Sequence, residues 1–389
     1  MRKHLLAAGA LGLCAAGAAH AQSSVTLYGT LDAGILFANN VAGSHSWVQS
    51  TSALSPTYFG LRGVEDLGGG LKAIFDLESG FDLNNGRLAN NGSLFGRKAY
   101  VGLQSDQYGA LTLGRQFDSV VDYLGPESAA GQNYGVLLAG HPYNNDNVAG
   151  MFSLSNTIKY TSANWAGLQF GGTYGFSNSS EFANNRSWSA GVSYNNGPLS
   201  LGAGYLQMNN DPNAAFNPAG SLDPATANII AGTQRTYGAG GTYAFGPFKV
   251  GLLFTRSQFF NLAGISAGGF TPSITTGQGM NINNYEINGT YNLTPAFAIL
   301  GSYAFSDGKT SGTGFGNQHP KWHTAMLAAD YSLSRRTDVY LAGVYQHASG
   351  SLGVNPDGSS APNVAAINTL GPSSTQNQVA ATLGLRHRF

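Results

Sequence analysis

Apolar residues recur at every second position in segment after segment of this chain. The residues between them are small or polar. Leu71-Lys72-Ala73-Ile74-Phe75-Asp76-Leu77-Glu78 shows the pattern, as do Tyr237-Ala239-Gly241-Tyr243-Phe245 and Phe248-Val250-Leu252-Phe254 with their intervening residues. Successive side chains of a strand point to opposite faces, so each such segment is a strand with one apolar and one small or polar face. After residue 21 no stretch approaches the ~18 consecutive apolar residues of a membrane-spanning helix.

The character of the second face selects the class. A soluble sandwich also alternates, but its outer face carries many Lys and Glu. Here charged residues are 10% of the chain, against about 25% in an average globular domain. Gly, Ser, Thr, Asn and Gln fill the second face instead. Aromatics gather at strand ends, as at Tyr174/Phe176, Tyr243/Phe245, Tyr303/Phe305 and Tyr331. These features predict an all-β transmembrane barrel, oily outside and wet inside, with aromatic rings at both interfaces.

The N-terminus reads as a cleaved secretory leader. Met1-Arg2-Lys3 is positive, Leu5 to Ala18 is apolar, and Ala19-His20-Ala21 fits a small-x-small cleavage site. Residues 1–21 are therefore expected to be removed, leaving 22–389 as the barrel domain. The only cysteine, Cys14, lies in the leader, so no disulfide framework is available. Losing Arg2 and Lys3 takes the 19 basic residues to 17, against 19 acidic ones. That balance gives no footprint for nucleic acid.

Connections alternate between short and long. Asp66 to Gly70, Asn195-Asn196-Gly197-Pro198, Phe245-Gly246-Pro247 and Ser334 to Thr337 are tight turns; Asn209 to Thr233, Ser257 to Asn283 and Ser349 to Gln376 are long and polar. Outer-membrane barrels have short periplasmic turns and long external loops. Sixteen strands are counted, starting near residues 24, 57, 71, 94, 109, 155, 167, 187, 198, 235, 248, 284, 296, 322, 337 and 377. An even count lets the first and last strands meet antiparallel. An open edge in lipid would leave backbone groups unpaired at several kcal/mol each.

Several segments carry a family resemblance. Ser24-Val25-Thr26-Leu27-Tyr28-Gly29, Phe59-Gly60-Leu61-Arg62-Gly63-Val64-Glu65-Asp66-Leu67-Gly68, Gly96-Arg97-Lys98-Ala99-Tyr100-Val101-Gly102-Leu103 and Leu113-Gly114-Arg115-Gln116 resemble the general diffusion porins of Gram-negative bacteria, those of beta-proteobacteria above all. Tyr331 to Thr337 and Leu383 to Phe389 add to it. The resemblance implies a water-filled outer-membrane channel for passive diffusion of ions and small hydrophilic solutes. It further implies a homotrimer set in lipid and lipopolysaccharide, with the third external loop folded inward. Phe389 would mark the chain for the barrel-assembly machinery. No cofactor, metal or catalytic residue is implied.

A pore works by its diameter and its field. The third long connection, Gln116 to about Ser153, is the expected constriction element. It carries Asp118, Asp122, Glu127, His141 and Asp146. The resemblance implies that Asp118, Asp122 and Glu127 face a basic wall of Arg62, Lys72, Arg97 and Arg115. Tyr58 and Ser153 stand where the family often has arginine, so weak ion selectivity is expected.

Other readings carry less. Gly68-Gly69-Gly70 lacks the Lys-Ser/Thr of a phosphate loop and reads as a turn. His319 and His323 could share a strand face, but no third ligand is evident nearby. An enzyme barrel would need a rim pair such as His347 with a loop Asp. A substrate-specific porin for a sugar, amino acid or other small anion is the main alternative.

Overall fold

The computed structural model describes residues 24–210, 220–222, 229–265, 278–312, 316–354 and 359–389; the expected leader lies outside them. The first half of the wall is β1 (Ser24–Val41), β2 (Ser44–Thr51), β3 (Tyr58–Gly68), β4 (Leu71–Gly80), β5 (Lys98–Ser105), β6 (Gly109–Gln116), β7 (Leu154–Thr161), β8 (Leu168–Gly175) and β9 (Arg186–Asn196). It continues as β10 (Leu199–Asn209), β11 (Ile229–Phe245), β12 (Phe248–Ile265), β13 (Gly279–Thr294), β14 (Phe297–Ser311), β15 (Lys321–Ser332) and β16 (Thr337–Ser349). A small hairpin of β17 (Ser351–Val354) and β18 (Ser360–Pro362) precedes the last strand, β19 (Asn377–Arg388).

Each span of the wall pairs antiparallel with the next, and β1 pairs with β19 from Thr30↔Arg388 to Ala38↔Ala380. Gly29 and Phe389 extend that ladder with reciprocal backbone hydrogen bonds of 3.1 Å. β2 and β3 are two segments of one span, since both lie beside β1. The wall is thus a closed barrel of sixteen antiparallel spans. Closure leaves no edge to be solvated in lipid.

The split second span is a feature the alternation did not show. Its cause is Asp32, an inner-face residue of β1. The Asp32 carboxylate accepts hydrogen bonds from Leu54 N (2.9 Å), Ser55 N (2.7 Å) and the Tyr340 hydroxyl. This draws residues 52–57 out of the ladder and buries Ala53, Leu54 and Ser55 inside. A second difference is length: β11 and β13 start at 229 and 279, ahead of the expected 235 and 284. Ile229, Ala231, Phe259, Met280 and Ile282 form an apolar cluster with Trp322 on the inner face there, and it holds the strands together beyond the bilayer.

The two faces separate as the pattern requires. In β19, Leu383 is 63% exposed while its neighbour Thr382 is 1% exposed. Ile35, Leu327 and Leu341 share Leu383's outer face. At the short-turn end the outer rings stack as Phe245/Phe248 (5.6 Å) and Phe248/Tyr291 (4.2 Å). Nearer the long loops lie Trp188/Tyr205 (4.6 Å) and Phe254/Tyr285 (5.2 Å). Amphipathic rings favour the two bilayer interfaces.

Candidate functional site

The site begins with the long connection after β6. Asp118 accepts from Val120 N (2.8 Å) and Val121 N (3.3 Å), capping the short helix Ser119–Tyr123. Such a cap satisfies amides the helix cannot. Val120 and Leu124 then bury, with Val148 and Phe152, against inner-face Leu206, Met208 and Leu253. The wall carries glycine where Tyr123 passes. A Cβ on Gly202 would sit 2.0 Å from Tyr123 O, and one on Gly191 2.4 Å from the Tyr123 ring.

Further along, Ala129 N donates to Glu286 of β13 at 2.7 Å. His141 reaches Asp146 through Nδ1 at 2.6 Å and Glu286 through Nε2 at 3.1 Å, all three buried. Asp146 also accepts from Thr255 and Asn284 of the wall. Tyr134 and Leu138 pack with Leu54, Met326 and Tyr340, and Arg386 of β19 donates to Asn133 O at 2.7 Å. The connection therefore touches the inner face from β8 round to β19. A closed sheet has only one inner face, so the connection crosses the lumen and covers that part of the wall.

The wall it leaves open carries the charges. Arg62, Asp76 and Tyr100 stand in one inner row across β3, β4 and β5. Glu78, on the same face, accepts from Lys98 (2.8 Å), Arg97 (3.2 Å) and the Tyr28 hydroxyl (2.9 Å). Lys98 also lies 3.5 Å from Asp76. Arg97 sits over the rings of Tyr58 (4.9 Å) and Phe117 (5.3 Å). On β7, Lys159 forms an ion pair with Asp122 of the connection. A cavity of about 430 Å³ adjoins Arg97, bordered by Asp82, Phe81, Leu36, Met151 and Leu370.

The residues singled out in the sequence divide into groups. Arg62 and Arg97 lie on this open wall, and Asp122 faces it. Lys72 pairs with Asp106 at 2.8 Å, by the short turns. Arg115 has the strand parity of Leu111 and Leu113, the exposed apolar face. It donates to Gly96 O (2.7 Å) and Ser155 Oγ (2.6 Å). Asp118 is a buried cap that also accepts from Asn147. Glu127 is buried and accepts from the Ser200 hydroxyl. Tyr58 and Ser153 both support Arg97, one by its ring and one by a hydroxyl hydrogen bond to Arg97 O at 2.7 Å. His347 sits on the outer face, hydrogen-bonded to Asn377, and among the described residues no ion pair joins it to a carboxylate.

Glu78, Lys98 and Lys159 were missed. Lys98 directly opposes Glu78 in register, and Lys159 belongs to the inner row Thr157, Lys159, Thr161. Parity alone could have found both. Two loop groups titrate away from their ordinary ranges. Burial pushes the Asp118 carboxyl up to about 6. Burial disfavours the charge on His141, but the Asp146 and Glu286 carboxylates outweigh it and raise its pKa to about 10.

A closed sixteen-span barrel with an oily exterior, a charged interior and a loop across its lumen is a transmembrane channel. The chain belongs to the Gram-negative porin family, whose profile matches residues 6–351. An outer membrane porin protein of Bordetella pertussis is 32% identical to it over the full length of both chains. Outer membrane porin protein 32 of Delftia acidovorans is 29% identical, again over both full lengths. Among solved structures, an anion-selective porin from Comamonas acidovorans shares the fold at a TM-score of 0.71 and 24% identity, covering 95% of this chain and 100% of that one. The trimer form of OmpT from Vibrio cholerae superposes at 0.61 and 16% identity, covering 94% and 99%. The protein is an outer-membrane porin, a water-filled channel for passive diffusion.

Proposed function

We propose that this porin is a general diffusion channel with a slight preference for anions, narrowest where Asp122 and Lys159 approach the Arg62–Arg97–Lys98 wall. The observation that carries this reading is the near-cancellation of charge there. Arg62, Arg97, Lys98 and Lys159 supply four positive charges; Asp76, Glu78 and Asp122 supply three negative ones, an excess of one. An excess unit charge about 5–8 Å from a permeating ion is worth roughly 0.2–0.5 kcal/mol at 0.1 M salt. The sign is opposite for anion and cation, which gives a permeability ratio of about two- to fivefold.

The solutes pass without chemistry being done on them. The chain is proposed to lose residues 1–21, to assemble as a homotrimer like the trimeric neighbour, and to present Phe389 to the barrel-assembly machinery. The His387 and Phe389 rings stack at 6.4 Å on the last strand. Reversal potentials across a KCl gradient test the reading. A ratio near two to five favouring chloride is expected; a strongly selective channel of either sign overturns it. The apolar-walled cavity beside Arg97 favours a second reading, a channel fitted to one small organic anion, which would show as saturating block of the chloride current.

A further inference from the structure

Three neighbouring spans, flanked by Phe305 of a fourth, carry a polar row on the outer face, close to the long loops. Register places Phe305 beside His323, His323 beside His347, and His347 beside Asn377. The His323 and His347 ring centroids are 6.4 Å apart. Each ring is tied on the side away from the other. His323 Nδ1 meets the Tyr303 hydroxyl of β14 at 2.6 Å, and His347 Nδ1 meets Asn377 Oδ1 of β19 at 2.8 Å.

Asn377 Oδ1 also accepts from the Tyr345 hydroxyl at 2.8 Å. A carbonyl oxygen only accepts, so His347 carries its proton on Nδ1 and its lone pair on Nε2. The two nitrogens of an imidazole point in nearly opposite directions. With Nδ1 turned toward β14 in one ring and β19 in the other, both Nε2 atoms turn into the gap between β15 and β16. Among the described residues neither Nε2 has a hydrogen-bond partner.

We propose that His323 and His347 form a surface site for a divalent transition-metal ion, held by their two Nε2 atoms. A metal about 2.0–2.1 Å from each nitrogen sets two ring centroids roughly 5 to 6.5 Å apart, so the existing spacing needs little movement. Imidazole suits copper, nickel and zinc, whereas magnesium and calcium take oxygen ligands. The Nδ1 partners fix both ring orientations and Asn377 fixes the His347 tautomer, as outer-shell groups do in metal sites; the Tyr303 hydroxyl accepts from His323 Nδ1 when Nε2 holds the ion. Among the described residues no third His, Cys, Asp or Glu completes the set, so water fills the remaining positions. The sequence could not show this pair, because 23 intervening residues separate its members.

Copper(II) titrated into the detergent-folded full chain tests the site. The copper spectrum by electron paramagnetic resonance is expected to show two imidazole nitrogens on one ion per chain. His323→Gln and His347→Gln should each weaken that binding about tenfold or more, while His387→Gln leaves it unchanged. Copper with a single ligating nitrogen, or equal affinity in the wild type and both variants, overturns the proposal. The nitrogen count in the wild type decides the matter even if a variant fails to fold.

Discussion

A Lys159→Glu channel is expected to reverse the sign of the potential measured across a KCl gradient. The substitution changes the open wall from four positive and three negative charges to three and four. The ratio of about two- to fivefold should turn from chloride to potassium. Two further features make Lys159 the most telling position. It is the only one of the four cations that sits on β7, on the loop side of the opening, and its partner Asp122 belongs to the connection itself. With Glu at 159 the two carboxylates repel, so the capped helix at 119–123 should sit farther from β7 and conductance should rise. An unchanged reversal potential would mean that ions pass elsewhere.

His141→Leu should release the far part of the same connection. His141 is buried between Asp146 and Glu286, and its loss leaves two buried carboxylates without their cation. Removing one partner of a buried pair costs about 3–5 kcal/mol. The expected signs are noisy, larger single-channel currents and protease cleavage between residues 117 and 153, in a barrel that still runs as folded. The pH dependence follows from the directions of the two shifts. The His141 pKa is raised to about 10, so its contribution is complete below its ordinary value near 6.5 and is lost as pH rises through about 10. Asp146 is also buried, which alone would raise its pKa, but the His141 charge holds it below the usual carboxylate range. Its contribution is present above that range and fades only in acid. Wild-type currents should therefore be quiet at neutral pH and approach the variant's above about pH 10. Quiet currents in the variant at neutral pH would show that the pair does not hold the loop.

Much of the barrel was legible because its rule is local. Alternation needs only neighbours two residues apart, and it placed β1, β4, β12 and β16 on the residues where their strands start. It failed where a tertiary contact overrode it. Ser44–Thr51 is largely polar, and only the pull of Asp32 on Leu54 and Ser55 explains why the second span breaks. The constriction was legible in part. The resemblance names Arg62 and Arg97; Arg62 has the parity of the inner row with Asp76, whereas Arg97 precedes β5 with the parity of exposed Val101 and Leu103 and turns inward through Glu78, Tyr58 and Phe117. Arg115 follows a motif too, yet parity puts it with Leu111 and Leu113. The loop acids were hardest to read, since an aspartate that caps a helix and one that faces water look alike until the chain around them is folded. Asp118-Ser119-Val120-Val121 does carry a capping signal, an Asp whose carboxylate accepts from the amides of both valines.

Thiol accessibility tests the central claim most directly, that one face of each span meets water and the other lipid. The only cysteine of the chain, Cys14, precedes the barrel, so single introduced thiols report cleanly. A charged, water-soluble thiol reagent added to open channels in a planar bilayer should cut the current of Arg62→Cys and Lys98→Cys. It should leave Arg115→Cys and Leu383→Cys untouched. Block of the Leu383 variant with an unaffected Arg62 variant would contradict the account.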